Sequence, residues 1–295
     1  MIKLVWVLAG TSSYYLDRLA IRLRRAGRWT EERTRVEKTG RLVQTPVRPD
    51  LEEHPPNVWL LRYPGHIAHS LWRSQELSLL RKYATALPEP RLDFGCGDGS
   101  FAAALFGHVA YGVDVDEEAL RIAAEFGVYD HMLLMNGEAI PLPDGTAGSV
   151  FANSVLEHTS AVEPIVAELH RLIAPGGRLA ITVPTTGFSR HLTKYFGVGE
   201  SEFLNHRFDH RQMHSPQWWR TCVAAAGFAI EIELQYQPDW FTFTYRVLTT
   251  GTMAFLLRRG LADNPRARAT MAALVRRSVA GTADGANLFV LARRL

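Results

Sequence analysis

"LDFGCGDGS", Leu92 to Ser100, sets three glycines at alternate positions, Gly95, Gly97 and Gly99, directly behind a short apolar run. A glycine-rich turn between a strand and a helix lets a ligand lie against the main chain, and the N–H groups that open the helix favour negative charge. The spacing is neither the dinucleotide fingerprint G-x-G-x-x-G nor a phosphate loop closing in Gly-Lys-Ser/Thr. Asp93 stands two residues before the first glycine. A carboxylate there repels a pyrophosphate and attracts a ligand with a cationic part.

Downstream of Pro90, short apolar runs alternate with helical stretches. The pattern predicts strands at 91–94, 109–114, 131–135, 149–153 and 178–183, with helices at 99–106, 116–126 and 161–173 between them. "APGG", Ala174 to Gly177, stops the third of these helices. A further helix has Ser215 as N-cap, Pro216 at its first position and Gly227 as its stop. Strands follow from Phe228 to about Tyr236 and from Asn287 to Arg293. This alternation makes an α/β fold, a mostly parallel sheet with helices on both faces, which binds ligands at the carboxyl ends of its strands.

Ahead of the sheet, 11–38 reads as an N-terminal helix, 45–64 as a proline-rich linker or lid, and about 66–87 as a helix stopped by Pro88. Residues 237–286 form an insertion before the last strand, with helices expected near 244–260 and 265–280. An insertion that long serves a purpose, as a substrate lid or as an oligomer contact in a homodimer. The expected division is therefore 1–65 as helix and lid, 66–236 with 287–295 as the core, and 237–286 as the helical insertion.

The chain has 295 residues, 47% of them hydrophobic, enough for one large domain with an appended module. Cys96 and Cys222 make neither a disulfide framework nor a metal-ligand spacing, which points to a reducing compartment. The apolar start "MIKLVWVLAG" is too short for a secretory signal and lacks a small-residue cleavage site, and no run of about 18 apolar residues exists to span a membrane. The expected location is cytoplasmic. The net charge of +3 hides an asymmetry: residues 1–48 hold 11 Lys/Arg against 4 Asp/Glu, and 246–295 hold 9 against 2, around an acidic middle. The expected reading of the basic ends is arginine-rich, solvated helix faces. The alternative is contact with nucleic acid, anionic lipid or acidic substrates, although aromatic residues do not interleave with them as a base-stacking surface requires.

"LDFGCGDG" resembles the first motif of class I S-adenosylmethionine-dependent methyltransferases, acid-x-Gly-x-Gly-x-Gly, with Asp93, Gly95, Gly97 and Gly99 in its four positions. The resemblance implies a Rossmann-like seven-stranded sheet whose last strand is antiparallel, and S-adenosyl-L-methionine as the cofactor. The glycines would let its methionine part lie on the backbone, with Cys96 between them as a filler, while Asp93 offers charge to its amino group and sulfonium. In "YGVDVDEEAL" Asp114 ends the second strand, where an acid accepts ribose hydroxyls; Val115 would lie beside adenine, and Asp116 would cap the next helix. "MNGEAIPLPDGTAGSV" resembles the segment that meets adenine, which implies roles for Asn136 and Gly137. Leu142 stands where the family usually has an aromatic residue, and "AGSV" where it has Phe-Asp, both structural positions.

"NSVLEHTS" resembles the segment running under the cofactor toward the substrate cleft, with Asn153 touching the cofactor through its backbone. His158 is the candidate catalytic residue, since an imidazole titrates near working pH; its alternative is to pack or cap beside the cofactor. His206, His210 and His214 recur every four residues and could meet a metal on a helix. No cysteine and few carboxylates join them, so no metal is expected, and a lid contacting an anionic or hydroxylated substrate, with Arg207 and Arg211, is the reading. Phe241, Phe243 and Tyr245 alternate as either core or the wall of a hydrophobic pocket. The resemblance implies methyl transfer to a small-molecule acceptor such as a natural product, sugar or lipid-like metabolite. The alternatives are a cofactor-binding, cyclase-like scaffold without methyl transfer and, through the basic ends, an RNA methyltransferase.

Overall fold

The computed structural model describes residues 67–135, 139–249 and 264–295. The helix expected over 11–38, the proline-rich stretch 45–64, Asn136 and Gly137 lie outside the described residues. Seven strands, β1 Arg91–Phe94, β2 Val109–Asp114, β3 Tyr129–Leu134, β4 Ala147–Asn153, β5 Ile173–Pro184, β6 Phe228–Tyr236 and β7 Asn287–Arg294, form one sheet in the order β3-β2-β1-β4-β5-β7-β6. The pairs β1–β2, β2–β3, β1–β4 and β4–β5 are parallel, while β7 runs antiparallel to both β5 and β6. The strand order reverses between β1 and β4, the switch point at which such sheets bind ligands.

The described helices are α1 Ile67–Tyr83, α2 Ser100–Leu105, α3 Glu117–Phe126, α4 Val162–Leu172, α5 Thr186–Phe196, α6 Val198–Arg207, α7 Pro216–Ala225, α8 Asp239–Leu248 and α9 Pro265–Ser278. Their ends follow from local chemistry. Asp116 caps α3 by accepting from the N–H groups of Glu118 and Ala119, and Ser215 caps α7 ahead of Pro216 by accepting from Trp218.

Alternate residues of the central strands feed two cores on opposite faces of the sheet. On one face Leu92, Val150, Leu179 and Ile181 pack with Val166 and Leu169 of α4 and with Trp219 and Val223 of α7. On the other, Phe151, Ala180 and Phe289 meet Leu79 and Leu80 of α1 and Ala102 of α2. Burying side chains of this size contributes about 1.5–3 kcal/mol each, so these layers fix where the strand ends lie.

A third apolar cluster forms a cap beyond the carboxyl ends of β5 and β6. Ile67, Leu71 and Trp72 of α1 meet Phe188 and Leu192 of α5, Leu204 of α6, Phe241 and Tyr245 of α8, and Met271 and Val275 of α9. The segment of alternating aromatics is thus a helix: Phe241 and Tyr245, four apart, face the cluster, while Phe243 is exposed and stacks on Phe196 with centroids 5.5 Å apart. Helix α8 starts and ends earlier than the 244–260 expectation, whose remainder falls among residues outside the description. Strand β5 also pairs earlier than expected, from Ile173 onward, taking the "APGG" stretch into its first residues.

Candidate functional site

The turn after β1 is held open by its own hydrogen bonds. Gly95 and Cys96 N–H both donate to the carbonyl of Val113 in β2, and Gly97 N–H donates to Asp114 Oδ2 at 2.7 Å. Asp114 Oδ1 meanwhile accepts from the N–H of Asp116 at 3.0 Å. One carboxylate therefore ties the glycine turn to the end of β2. Gly95 has φ +74°, and a Cβ there would strike the Val155 side chain, so this glycine serves close packing. Gly97 has φ +54°, and a Cβ there would meet no atom within 4 Å, so its bare face looks onto open space. Val115 beside it is 71% exposed. A bare backbone, an apolar platform and a carboxylate on one rim fit a nucleoside with an attached polar tail.

Asp93 is buried at 3% exposure, and Tyr129 Oη donates to its Oδ2 at 2.7 Å. Burial pushes the Asp93 carboxyl up to about 7; the Tyr129 hydrogen bond opposes this and the charge of Asp114 adds to it. Cys96 is buried, and desolvation with the Asp93 and Asp114 charges pushes its thiol far up, so it carries no reactive thiolate.

Across the switch point, Asn153 ends β4 and Ser154 follows in the left-handed region, φ 52°. The Asn153 side chain donates to Glu76 Oε2 at 3.0 Å and accepts from Thr182 Oγ1 at 2.8 Å. Glu76, wholly buried on α1, also accepts from Trp72 Nε1 and Arg73, each at 2.8 Å, and from the Ser154 hydroxyl. The loop after β4 is thus pinned by a carboxylate from the helix ahead of the sheet.

His158 closes a single turn, Leu156–His158. Its Nδ1 donates to the carbonyl of Asp209 at 3.0 Å, its Nε2 lies 3.7 Å from Glu157 Oε1, and the side chain is 40% exposed. With Nδ1 as donor, the neutral ring keeps its lone pair on Nε2. Glu157 is 1% exposed and its Oε2 has no hydrogen-bond partner among the described residues. Burial pushes its carboxyl up to about 8, with its own backbone amide opposing, the Glu76 charge adding and Arg73 opposing. Its carbonyl accepts from Arg211 and Gln212 N–H, which docks the 208–215 loop beside His158.

The three recurring histidines do not share a helix. His206 lies at the end of α6, the chain turns at Asp209 with φ 54°, and His210 and His214 follow in the loop. His210 sits 5.7 Å from the His158 and Phe188 rings, and burial, then His158, lowers its imidazole to about 4. His214 stacks on Trp218 at 3.5 Å. Among the described residues no group of three or more His, Cys, Asp or Glu is arranged as a metal cluster, and no helix is long and apolar enough to cross a membrane.

The structure brings Asp93, Gly95, Cys96, Gly97, Asp114 and Val115 to one side of the switch point and Asn153 and His158 to the β4 side. Glu76 and Tyr129 escaped the sequence reading. Glu76 carried one usable signal, a carboxylate four residues from Trp72 on the helix face that also holds Leu79 and Leu80.

Residues 92–181 match the model of a methyltransferase domain. The chain is 33% identical over 168 residues to a malonyl-[acyl-carrier protein] O-methyltransferase of Alcanivorax borkumensis, an alignment covering 54% of this chain and 55% of that protein. An uncharacterized methyltransferase of Mycobacterium tuberculosis is 32% identical over 130 residues, covering 40% of this chain and 64% of its own. The chain thus spans little more than half the length of the curated relatives it matches. Among solved structures, a SAM-dependent methyltransferase of Thermotoga maritima shares the fold with a TM-score of 0.52 at 17% identity, over 80% of this chain and 94% of its own.

Proposed function

We propose, from its membership of the class I S-adenosylmethionine-dependent methyltransferase family, that this chain methylates a small-molecule acceptor. The observation that carries the reading is the open face of Gly97 flanked by Asp114 and Val115. In this reading Gly97, Cys96 and Gly95 supply the backbone on which the cofactor's amino-acid part rests, with Asp93 facing its amino group. Asp114 receives the ribose hydroxyls and Val115 the adenine, with Asn136 and Gly137 at the adenine edge and the Asn153 backbone beneath. Bound there, S-adenosyl-L-methionine supplies a methyl group on a sulfonium, open to displacement by an aligned nucleophile.

The protein's own contribution is alignment, exclusion of water and a place for one proton. His158 would take the acceptor's proton on Nε2, since Nδ1 is held by the Asp209 carbonyl. The cap of α1, α5, α6, α8 and α9 over the strand ends would enclose the acceptor. The name of the Alcanivorax relative supports including acyl-thioester carboxylates among the candidate acceptors. A protein of this fold is also described as a [4+2]-cyclase, SpnF, with a TM-score of 0.50 at 18% identity, so the fold alone does not decide between transfer and a scaffold.

The test is incubation of the chain with S-adenosyl-L-methionine carrying a labelled methyl group and an acceptor panel of acids, phenols, amines and acyl thioesters. Label appearing in an acceptor with release of S-adenosylhomocysteine supports the reading. Acceptor conversion without label would favour the scaffold.

A further inference from the structure

We propose that Tyr129 is a positioning residue for the cofactor's amino-acid end, holding Asp93 in place by reaching over the intervening strand β2. Tyr129 begins β3, and Asp93 lies near the end of β1, paired with Gly112 of β2. The ring crosses β2 at that glycine: a Cβ on Gly112 would come within 2.9 Å of Tyr129 Cδ1. From the other side, a Cβ on Gly99 would lie 3.2 Å from Tyr129 Cε2. Two glycines thus bound the path by which the hydroxyl arrives 2.7 Å from Asp93 Oδ2. A side chain on Gly112 would close that path.

The contact has a chemical consequence. Asp93 faces Tyr129 from β3, Asp114 from the end of β2 and Cys96 from the glycine turn, while Asp98 acts on Cys96 and Tyr129, so the hydroxyl is the group here that favours the ionised form of Asp93. Burial and the Asp93 charge push the Tyr129 hydroxyl up, so it stays protonated and donates. A charged Asp93 attracts an ammonium group and a neutral one does not. Tyr129 therefore governs whether Asp93 can receive a cationic amino group, which rests on the cofactor reading above.

Calorimetry with two nucleosides tests this. S-adenosylhomocysteine has the amino-acid tail, and 5′-methylthioadenosine shares its adenosine and sulfur but lacks that tail. Tyr129→Phe keeps the ring over Gly112 and removes the donor. Its S-adenosylhomocysteine affinity should fall about five- to tenfold at neutral pH, while 5′-methylthioadenosine affinity changes less than about twofold. Removing the donor raises the pH at which Asp93 ionises, so the pH below which S-adenosylhomocysteine affinity drops should move upward in the variant. In an Asp93→Asn background the Tyr129→Phe change should cost almost nothing more. Equal weakening of both nucleosides, or unchanged S-adenosylhomocysteine binding, would overturn the assignment. A wild-type chain that binds 5′-methylthioadenosine but not S-adenosylhomocysteine would also overturn it, whereas one that binds neither removes the cofactor reading and Tyr129's role together.

Discussion

Asn153 Nδ2 lies 3.0 Å from Glu76 Oε2, joining the end of the fourth strand to a helix 77 residues earlier in the chain. The same carboxylate receives Trp72, Arg73 and Ser154, so four donors converge on one buried group. Ser154 is held there with φ 52°, a conformation that costs a non-glycine residue free energy and persists because the surroundings over-determine it.

Glu76→Ala should therefore leave several buried donors without an acceptor and release the loop that carries His158. The expected loss is about 1.5–3 kcal/mol of stability, the range for hydrogen bonds to a charged group. Urea unfolding of the variant checks it. A loss below about 0.5 kcal/mol, the range of neutral surface changes, would show that the network does not stabilise this corner.

Asp114→Ala tests the other rim. The carboxylate braces Gly97 N–H and Asp116 N–H, and in the proposed function it also receives the ribose. Charge-assisted bonds of this kind contribute about 1.5–3 kcal/mol, so S-adenosylhomocysteine should bind roughly 10- to 100-fold more weakly. A loss smaller than about threefold in calorimetry would place the ribose elsewhere.

These two residues differ in how far the sequence revealed them. Asp114 was legible because it ends an apolar run about 20 residues after a glycine turn, a local spacing. Glu76 was not, since its partners lie on the same helix and at the end of a strand that only tertiary packing brings near. The strands of the central sheet could be read from their continuous apolar runs, which burial on both faces demands. Edge strand β3 began two residues before the expected 131, because its mostly exposed "YDHMLL" lacks that signal. Helices α5 and α6, in "TGFSRHLTKYFGVGESEFLNHR", went unread: Gly187, Gly197 and Gly199 interrupt the periodic pattern that tertiary packing supports.

Glu157 gives a pH-dependent stability with a definite sign. Its carboxyl ionises at 4.5 in the reference state and at about 8 when folded. Between those values the folded chain holds the extra proton, so this residue's contribution falls as pH rises. Glu157→Gln cannot ionise, and the variant should gain on the wild type by at least about 2–4 °C in Tm between about pH 5 and pH 9, equivalent to about 1 kcal/mol. The opposite effect of His210, lowered to about 4, acts below about pH 6.5 in both proteins and largely cancels in the difference. Scanning calorimetry across that range measures the gap, and a gap that stays constant with pH would refute the buried, protonated carboxyl.

His158 carries the proposed proton transfer, and its geometry makes a separable forecast. The Asp209 carbonyl fixes Nδ1 as donor, leaving Nε2 as the base, with Glu157 Oε1 3.7 Å away. Replacing His158 by alanine removes the base, whereas glutamine retains a polar side chain of similar reach without a titrating nitrogen. If proton removal limits the rate, both variants should lose about 10²- to 10⁴-fold in turnover while S-adenosylhomocysteine affinity stays within about threefold. The wild-type rate should rise with pH through one ionisation that both variants lack. The deficit should also shrink for an acceptor already ionised, because no proton then needs a destination. Alignment alone can accelerate methyl transfer. In that case the alanine variant would keep near-wild-type turnover and the same pH profile, and the base would have to be sought elsewhere in the loop that His158 anchors, first at His214.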